Sequence, residues 1–366
     1  MNQKKIIHLI TTIEFGGAEK QLLILARNQI KQGLNVEVFY LKGKPELRTK
    51  FEDVGVKVNS LLVDQPFIFQ VTKFRKFIRN NECPVHTHLP QAELVASLAC
   101  EKKKFIISRH NFEPFWPNKP KLVSVLLSRF VTSRASSGIA ISNAIKNYLI
   151  MTKEVNKNFK VSVVYYGFDH DKEVLPETNE IINENLNLTK DYKLGTIGRL
   201  LPTKNYPTML KAFAKIVEVY PTIKFFIVGG GSSDQTLINM CKDLKIGDNV
   251  IWLGRTEHIR EFLAKIDLFI FASKAEGFGL VLLEAMLANK PILAANNSAI
   301  PEVLGLNYKG LFSTNDYKLL SDKVLELIND QAKSDSLVSD YKEQIKLFDP
   351  VDMANNVLRV YEVAGF

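Results

Sequence analysis

Cysteine is scarce in this chain: three residues in 366, Cys83, Cys100 and Cys241. The count is odd and no pair has C-x-x-C spacing, which argues against a disulfide framework or a zinc site and for reduced, structural thiols. No apolar run approaches the roughly 20 residues that a bilayer-spanning helix needs. The amino-terminal apolar stretch breaks off at Thr11-Thr12 without a cleavage site, so no secretory signal is expected and the chain is expected in the cytoplasm. Proline (14) and glycine (19) are too few for a collagenous or low-complexity chain. The first half is poor in acid. Residues 1–165 hold 12 Asp and Glu against 26 Lys and Arg, a balance of +14, while residues 166–366 balance to −5. A basic half suits an anionic partner, whether nucleic acid, anionic lipid or phosphorylated substrate, and equally describes a solvated basic surface.

What is present is globular: 46% hydrophobic and 24% charged residues over a length that suits two domains. Short β-rich runs alternate with helical patterns, the signature of parallel sheets with crossover helices. In the first half, strands are expected near Lys5–Ile10, Val36–Leu41, Val85–His88, Phe105–Ser108, Gly138–Ile141 and Val161–Tyr165. Polar, acidic residues 170–190 read as a linker. A second series follows near Leu194–Ile197, Phe225–Val228, Val250–Leu253, Leu268–Ala272 and Pro291–Ala294. Helical stretches at about 316–330 and 334–347 and an amphipathic segment from Val351 to Glu362 close the chain. The fold class is α/β, two doubly wound Rossmann-like domains. Ligands of such sheets bind beyond the carboxyl ends of the strands, and a cleft is expected between the domains.

Four motifs carry chemistry. Gly16-Gly17-Ala18-Glu19 lies between the first strand and a helix, where bare backbone lets a ligand approach the positive helix end or simply turns the chain. Arg199 and Lys204 stand five residues apart in a strand-to-helix loop, a spacing that can grip a diphosphate, Arg as a fork and Lys as a point charge. Gly229-Gly230-Gly231 follows a strand, but G-x-G-x-x-G would need glycine where Asp234 stands, so it is not a dinucleotide fingerprint. The most informative stretch runs from Ala275 to Ala285. There Gly277 and Gly279 expose amides at a helix start, and Glu276 and Glu284 flank them eight residues apart. Amides hold phosphate and carboxylates accept from hydroxyls, a combination suited to a nucleotide sugar.

Glu276 to Glu284 resembles the E-x7-E motif of retaining glycosyltransferases of family 4, which have the GT-B fold. The Gly16-Gly17-Ala18-Glu19 turn, Ile141-Ser142, Gly198-Arg199-Leu200 with Lys204-Asn205, Val228-Gly229-Gly230-Gly231, Leu253-Gly254-Arg255 and Ala299-Ile300-Pro301-Glu302-Val303 match in order and spacing. The resemblance covers nearly the whole chain. It departs at Tyr166, where such enzymes commonly carry Asn before the glycine. It implies an acceptor-side domain of residues 1–168 with about 350–366, and a donor domain of residues 169–349. It further implies that Arg199 and Lys204 hold the donor diphosphate and that Gly16 and Gly17 let it approach. Glu276 would meet sugar hydroxyls, Gly277 and the amides of Phe278, Gly279, Leu280 and Val281 would face sugar and phosphate, Glu284 would take the ribose, and the base would lie near Arg255. His110 falls where the family places an active-site histidine. No cofactor and no metal are implied, and the expected donor is a UDP-sugar. Asp169-His170-Asp171 is formally a D-x-D metal signature, but Arg199 and Lys204 already supply cations for a leaving diphosphate.

The acceptor is less legible, a glycan or lipid-linked acceptor in surface polysaccharide or glycoconjugate synthesis being the expectation. Phe112, Phe115 and Trp116 crowd the loop after His110, and residues 67–79 mix aromatics with Lys73, Arg75, Lys76 and Arg79. That segment is either a helix lying on an anionic membrane surface or a crossover helix packing Val71, Phe74 and Ile78 on the sheet. His86 and His88 share one strand face and could bind metal, but the sequence shows no third ligand; a structural or acceptor-side role is the expectation. Two other functions compete: an epimerase acting on the nucleotide sugar, and a nucleic-acid-binding protein. The second lacks any recognisable module, so no nucleic-acid partner is expected.

Overall fold

A computed structural model describes residues 4–79, 83–117, 119–168, 184, 186 and 191–366. The proposed linker and Asp169-His170-Asp171 lie largely or wholly outside the described residues. The chain divides into two compact units, Met1–Asp169 with Phe348–Phe366, and His170–Leu347.

In the first unit β1 (Lys5–Ile10), β2 (Asn35–Tyr40), β3 (Lys57–Asn59), β4 (Val85–His88), β5 (Phe105–Arg109), β6 (Ser137–Ala140) and β7 (Val161–Val163) form a parallel sheet. Its order is β3-β2-β1-β4-β5-β6-β7, so chain direction across the sheet reverses between β1 and β4. Parallel strands are covered on both faces, which is why β1 and β4 contain hardly an exposed residue. Alternation splits the core in two. Ile7, Leu9, Phe39 and Phe105 share one cluster with Val71 and Phe74. Ile6, Leu25, Ile106 and Ile139 face the other way, onto the closing helix Pro350–Val363.

That closing helix is well specified. Pro350 occupies its first turn and the Asp349 carboxylate accepts from the amides of Val351 (2.7 Å) and Asp352 (3.1 Å). It buries Met353, Val357 and Tyr361 against the sheet. A side chain at Gly167 would overlap the Pro350 backbone, so the glycine of Tyr166-Gly167 is what lets the helix cross there.

In the second unit β8 (Lys193–Ile197), β9 (Lys224–Val228), β10 (Val250–Gly254), β11 (Leu268–Phe271), β12 (Ile292–Ala295) and β13 (Leu311–Phe312) form a parallel sheet ordered β10-β9-β8-β11-β12-β13. Its direction reverses between β8 and β11. Strands β3 and β13 were not expected from the sequence, because two or three residues show no periodicity. The expected helix at 334–347 is instead Gln331–Asp340 followed by a 3-10 turn, Gln344–Phe348. Asp330 starts it early by accepting from the Lys333 amide.

Candidate functional site

The reversal point of each sheet is where backbone loops diverge and a ligand can enter. In the second unit the loops after β8 and β11 flank that point. The β8 loop carries Arg199, which is exposed and makes no ion pair among the described residues, and ends in a 3-10 turn, Pro202–Lys204. Asn205 closes the turn at φ +57°, a left-handed position asparagine tolerates, and its amide donates to the Thr314 carbonyl (2.9 Å). The β11 loop is tied to the same turn, since the Lys274 amide (2.7 Å) and the Ser273 hydroxyl (3.2 Å) both donate to the Thr203 carbonyl.

This stitching brings Lys204 Nζ onto Glu276 Oε1 in a direct ion pair. The ammonium also lies 5.4 Å from the Phe271 ring centre. Glu276 is only 9% exposed. Its own amide donates to Ser298 Oγ (2.9 Å), and Asn297, bonded to Ser273 and Thr314, holds Ser298 in turn. The two residues singled out from separate motifs thus form one polar centre.

The triglycine serves packing. The amides of Gly198 and Leu200 donate to the Val228 and Gly230 carbonyls, and Gly229 donates to the Gly254 carbonyl, knitting the loops after β8, β9 and β10 together. Gly229 sits at φ +150°, and a Cβ there would overlap the Gly198 carbonyl oxygen. Gly229→Ala should therefore cost about 3 kcal/mol or more, from backbone strain plus steric overlap; a urea midpoint within error of wild type would contradict this packing. Gly230 lies against the Arg255 side chain.

The helix after the glycines begins at Leu280. Gly279 is its N-cap at φ +90°, Leu280 and Val281 open its first turn, and half-buried Glu284 starts its second. Phe278 is buried and Gly277 half-buried in the preceding loop.

In the first unit the reversal point is flanked by the loops after β1 and β4. Gly16 precedes helix Gly17–Lys31, and a side chain at Gly16 would overlap the Glu19 carboxylate. Glu19 accepts from Thr12 Oγ1 (2.7 Å), and burial pushes its pKa up. The Glu19 carboxylate thus occupies the space a side chain at Gly16 would take. After β4, Leu89 adopts φ +73°, ψ +151°, strained backbone of the kind that clusters at functional sites.

His110, half-exposed past the end of β5, meets His88 Nδ1 through Nε2 (3.1 Å) and the Tyr166 hydroxyl through Nδ1 (2.6 Å). Burial, with the neighbouring Arg109 charge, lowers its pKa to about 3, so it is neutral at pH 7. His86 and His88 gain the third imidazole the sequence did not reveal: His8, paired opposite His86 across β1 and β4. Also missed was the buried triad of Arg109 with Glu93 (2.9 Å) and Glu154 (3.5 Å). Desolvation raises Glu93 to about 7 despite the guanidinium.

The aromatic loop after His110 turns inward. Phe115 is 2% exposed, packs on the Arg109 guanidinium (4.5 Å) and donates its amide to Glu154 (3.1 Å), while Trp116 leans on the core. The ion triad pulls this loop inward. Helix Phe67–Arg79 packs Val71 and Phe74 inward as a crossover helix and exposes Phe67, Ile68 and Phe69 in its first turn.

Residues 177–344 match the family described as "Glycosyl transferases group 1" and residues 15–172 that described as "Glycosyltransferase Family 4". N-acetyl-alpha-D-glucosaminyl L-malate synthase of Bacillus anthracis is 28% identical over 253 residues, covering 68% of this chain; the chain spans 65% of that relative's length. The capsular polysaccharide biosynthesis glycosyltransferase CapM of Staphylococcus aureus is 22% identical over 370 residues, 94% of this chain and 93% of that protein. Anabaena HepE, solved in complex with UDP and glucose, superposes with a TM-score of 0.80 at 20% identity over 99% of this chain and 100% of its own. Sucrose-phosphate synthase from Thermosynechococcus elongatus gives 0.76 at 18% identity, covering 98% of each chain. These structural likenesses establish the GT-B fold.

Proposed function

Because this chain belongs to the family 4, group 1 glycosyltransferases, we propose that it moves a sugar from a nucleoside diphosphate donor, a UDP-sugar, to a glycan or lipid-linked acceptor, with retention at the anomeric carbon. The Lys204–Glu276 pair at the reversal point of the second sheet carries this reading. Without donor, each charge neutralises the other. An arriving diphosphate takes Lys204 together with Arg199, and Glu276 is released to accept from a sugar hydroxyl. Glu284 accepts from the ribose, Gly277 and the amides of Phe278 to Val281 face sugar and phosphate, and the base lies by Arg255. His110 and the Gly16–Gly17 turn are the first unit's contribution.

As the glycosidic bond breaks, Lys204 and Arg199 balance charge on the departing diphosphate, whose oxygen takes the acceptor's proton on the same face. This needs no protein nucleophile, and the two cations do the work a metal would do. Activity abolished by chelator and restored by a divalent ion would contradict the metal-independent step. A UDP-bound neighbour and a relative named for capsular polysaccharide biosynthesis support the donor and pathway class. Thermal-shift screening against a panel of nucleotide sugars tests the donor, because a bound ligand stabilises with the logarithm of its concentration over Kd. Isomerised donor appearing without acceptor would favour the epimerase.

The acceptor-side unit is placed at the cytoplasmic face of a membrane. Among the described residues no helix is long and apolar enough to cross one. Helix Lys121–Arg134, however, exposes Leu122, Leu126 and Phe130 at four-residue spacing, and Ile150 and Met151 are exposed on helix Asn143–Met151. Arg129 and Ile150 line one groove of about 640 Å³ with Lys146, Lys153, Lys157 and Lys160, and no acid lines it among the described residues. Apolar side chains beside unopposed cations suit anionic lipid, each cation near the surface contributing about 1 kcal/mol. The protein should float with anionic but not neutral vesicles at low salt, weaken at high salt, and lose binding as Leu122→Glu with Leu126→Glu. Equal recovery with neutral vesicles would remove the role of the cations, and no recovery with anionic ones would remove the membrane and favour a soluble acceptor.

A further inference from the structure

Four of the chain's six histidines stand together on one face of the first sheet. Three form a ladder. Gln29 Oε1 lies 2.8 Å from His8 Nε2, His8 Nδ1 3.0 Å from His88 Nε2, His88 Nδ1 3.1 Å from His110 Nε2, and His110 Nδ1 2.6 Å from the Tyr166 hydroxyl. The fourth, His86, is held by Tyr361 (2.8 Å) and Ser108 (2.7 Å).

A neutral imidazole has one N–H and one lone pair, so each ring in such a ladder donates at one nitrogen and accepts at the other, and one end sets the direction throughout. Gln29 Nε2 donates to the Tyr361 hydroxyl (3.3 Å), which leaves Oε1 to accept from His8 Nε2–H. His8 Nδ1 then accepts from His88 Nε2–H, His88 Nδ1 from His110 Nε2–H, and His110 Nδ1 from the Tyr166 O–H. Burial disfavours the charged form of every ring and keeps Tyr166 protonated. Beside the ladder is a cavity of about 30 Å³ whose wall is apolar in part, with Leu22, Ile139 and Met353, and carries Gln21, His86, His88, Ser108, His110 and Tyr166 as its polar groups. Gln21 is 3% exposed and its Oε1 has no partner among the described residues. The cavity is large enough for one water or hydroxyl.

We infer that Gln29, His8 and His88 are positioning residues that lock His110 as an Nε2–H tautomer, whose Nδ1 can only accept, beside a one-hydroxyl pocket completed by Gln21. Resting on the glycosyltransferase reading, the hydroxyl is one from the sugar substrate; it donates to His110 Nδ1 as Tyr166 gives way. His8, His86 and His88 also present nitrogens within 4.8 Å of one another, as metal ligands would. The closest of these, 3.0 Å apart on His8 and His88, share a proton, so a bound ion would have to break the ladder.

Long-range proton–nitrogen NMR of the histidine-labelled full chain at pH 7 reads each tautomer without any substrate. His8, His88 and His110 should all carry the proton on Nε2. Gln29→Leu should mix the His110 tautomers and lower kcat about 10- to 100-fold, the range typical of groups that orient a functional histidine. Gln29→Glu, which keeps an acceptor for His8, should restore the pattern. If Gln29→Leu does not fold, Tyr166→Phe serves instead and should leave all three protons on Nε2. Nδ1–H on the three rings, or a stoichiometric shift of His8, His86 and His88 on adding Zn²⁺, would overturn the inference. Lys204→Ala should leave the spectrum unchanged, so failure of the donor site and failure of the ladder are read separately.

Discussion

Lys204→Ala should lower sugar transfer about 100-fold or more, the usual scale for removing a group that stabilises a departing charge. The substitution also leaves Glu276, only 9% exposed, without its counter-charge. Glu276→Gln should cost a similar factor, because a neutral amide is a weaker acceptor for the sugar hydroxyl than the carboxylate. The two residues touch, so their effects should not add, and the double variant should be little worse than the worse single one. Steady-state kinetics of the four forms completes the cycle. Additive losses would mean that Lys204 and Glu276 act at different steps.

Acid should unfold the first unit before the second. His8, His86 and His88 are buried and His110 half-buried, all with folded pKa values below the ordinary 6.5, His8 near 4 and His110 near 3, chiefly through desolvation. Below pH 6.5 the unfolded chain takes up protons that the folded one refuses. The stability these neutral rings allow is therefore complete above 6.5 and lost as pH falls toward their folded pKa values. At pH 5 His8 and His110, with folded values near 4 and 3, each cost about 2 kcal/mol, and His86 and His88 act in the same direction. Glu93 works the other way: its folded pKa near 7 returns stability as pH falls below 7, at most about 3 kcal/mol by pH 5. Glu19 and Glu154, also raised by burial, work in the same sense as Glu93, and the four rings are expected to outweigh them; a loss of a few kcal/mol is a large share of a typical domain's stability. The two tryptophans, Trp116 and Trp252, lie one in each unit. Single-tryptophan variants should show the Trp116 signal melting between pH 6.5 and 5 while Trp252 holds. Coincident transitions would contradict the assignment.

The sheets were largely legible because their strands are short, nearly continuous apolar runs between turn residues, as strands buried on both faces must be. Where a strand shrinks to Lys57–Asn59 or Leu311–Phe312 there is no pattern to read. Lys204 and Glu276 were legible as candidates because each belongs to a motif within a single loop, and the two loops flank the same reversal point. The ladder was not, because His8 and His88 stand 80 residues apart and meet only through the parallel pairing of β1 with β4. A usable signal did exist: His86 and His88 share a strand face with a histidine on the neighbouring strand, and the alternating β/α order makes β1 and β4 neighbours. The inward fold of Phe115 hangs on the Arg109–Glu93–Glu154 triad, whose members are far apart in sequence.

The donor site is tested most directly by titrating UDP calorimetrically into wild type, Lys204→Ala and Lys211→Ala, the last changing a cation on the neighbouring helix Tyr206–Val219 that contacts Tyr317 instead. Binding at one site per chain is expected for wild type and Lys211→Ala, with affinity at least about tenfold weaker for Lys204→Ala, the loss of roughly 1.4 kcal/mol that one charge-assisted contact to a phosphate readily supplies. Equal affinity in all three proteins, or no UDP binding at all, would contradict a diphosphate site at Lys204.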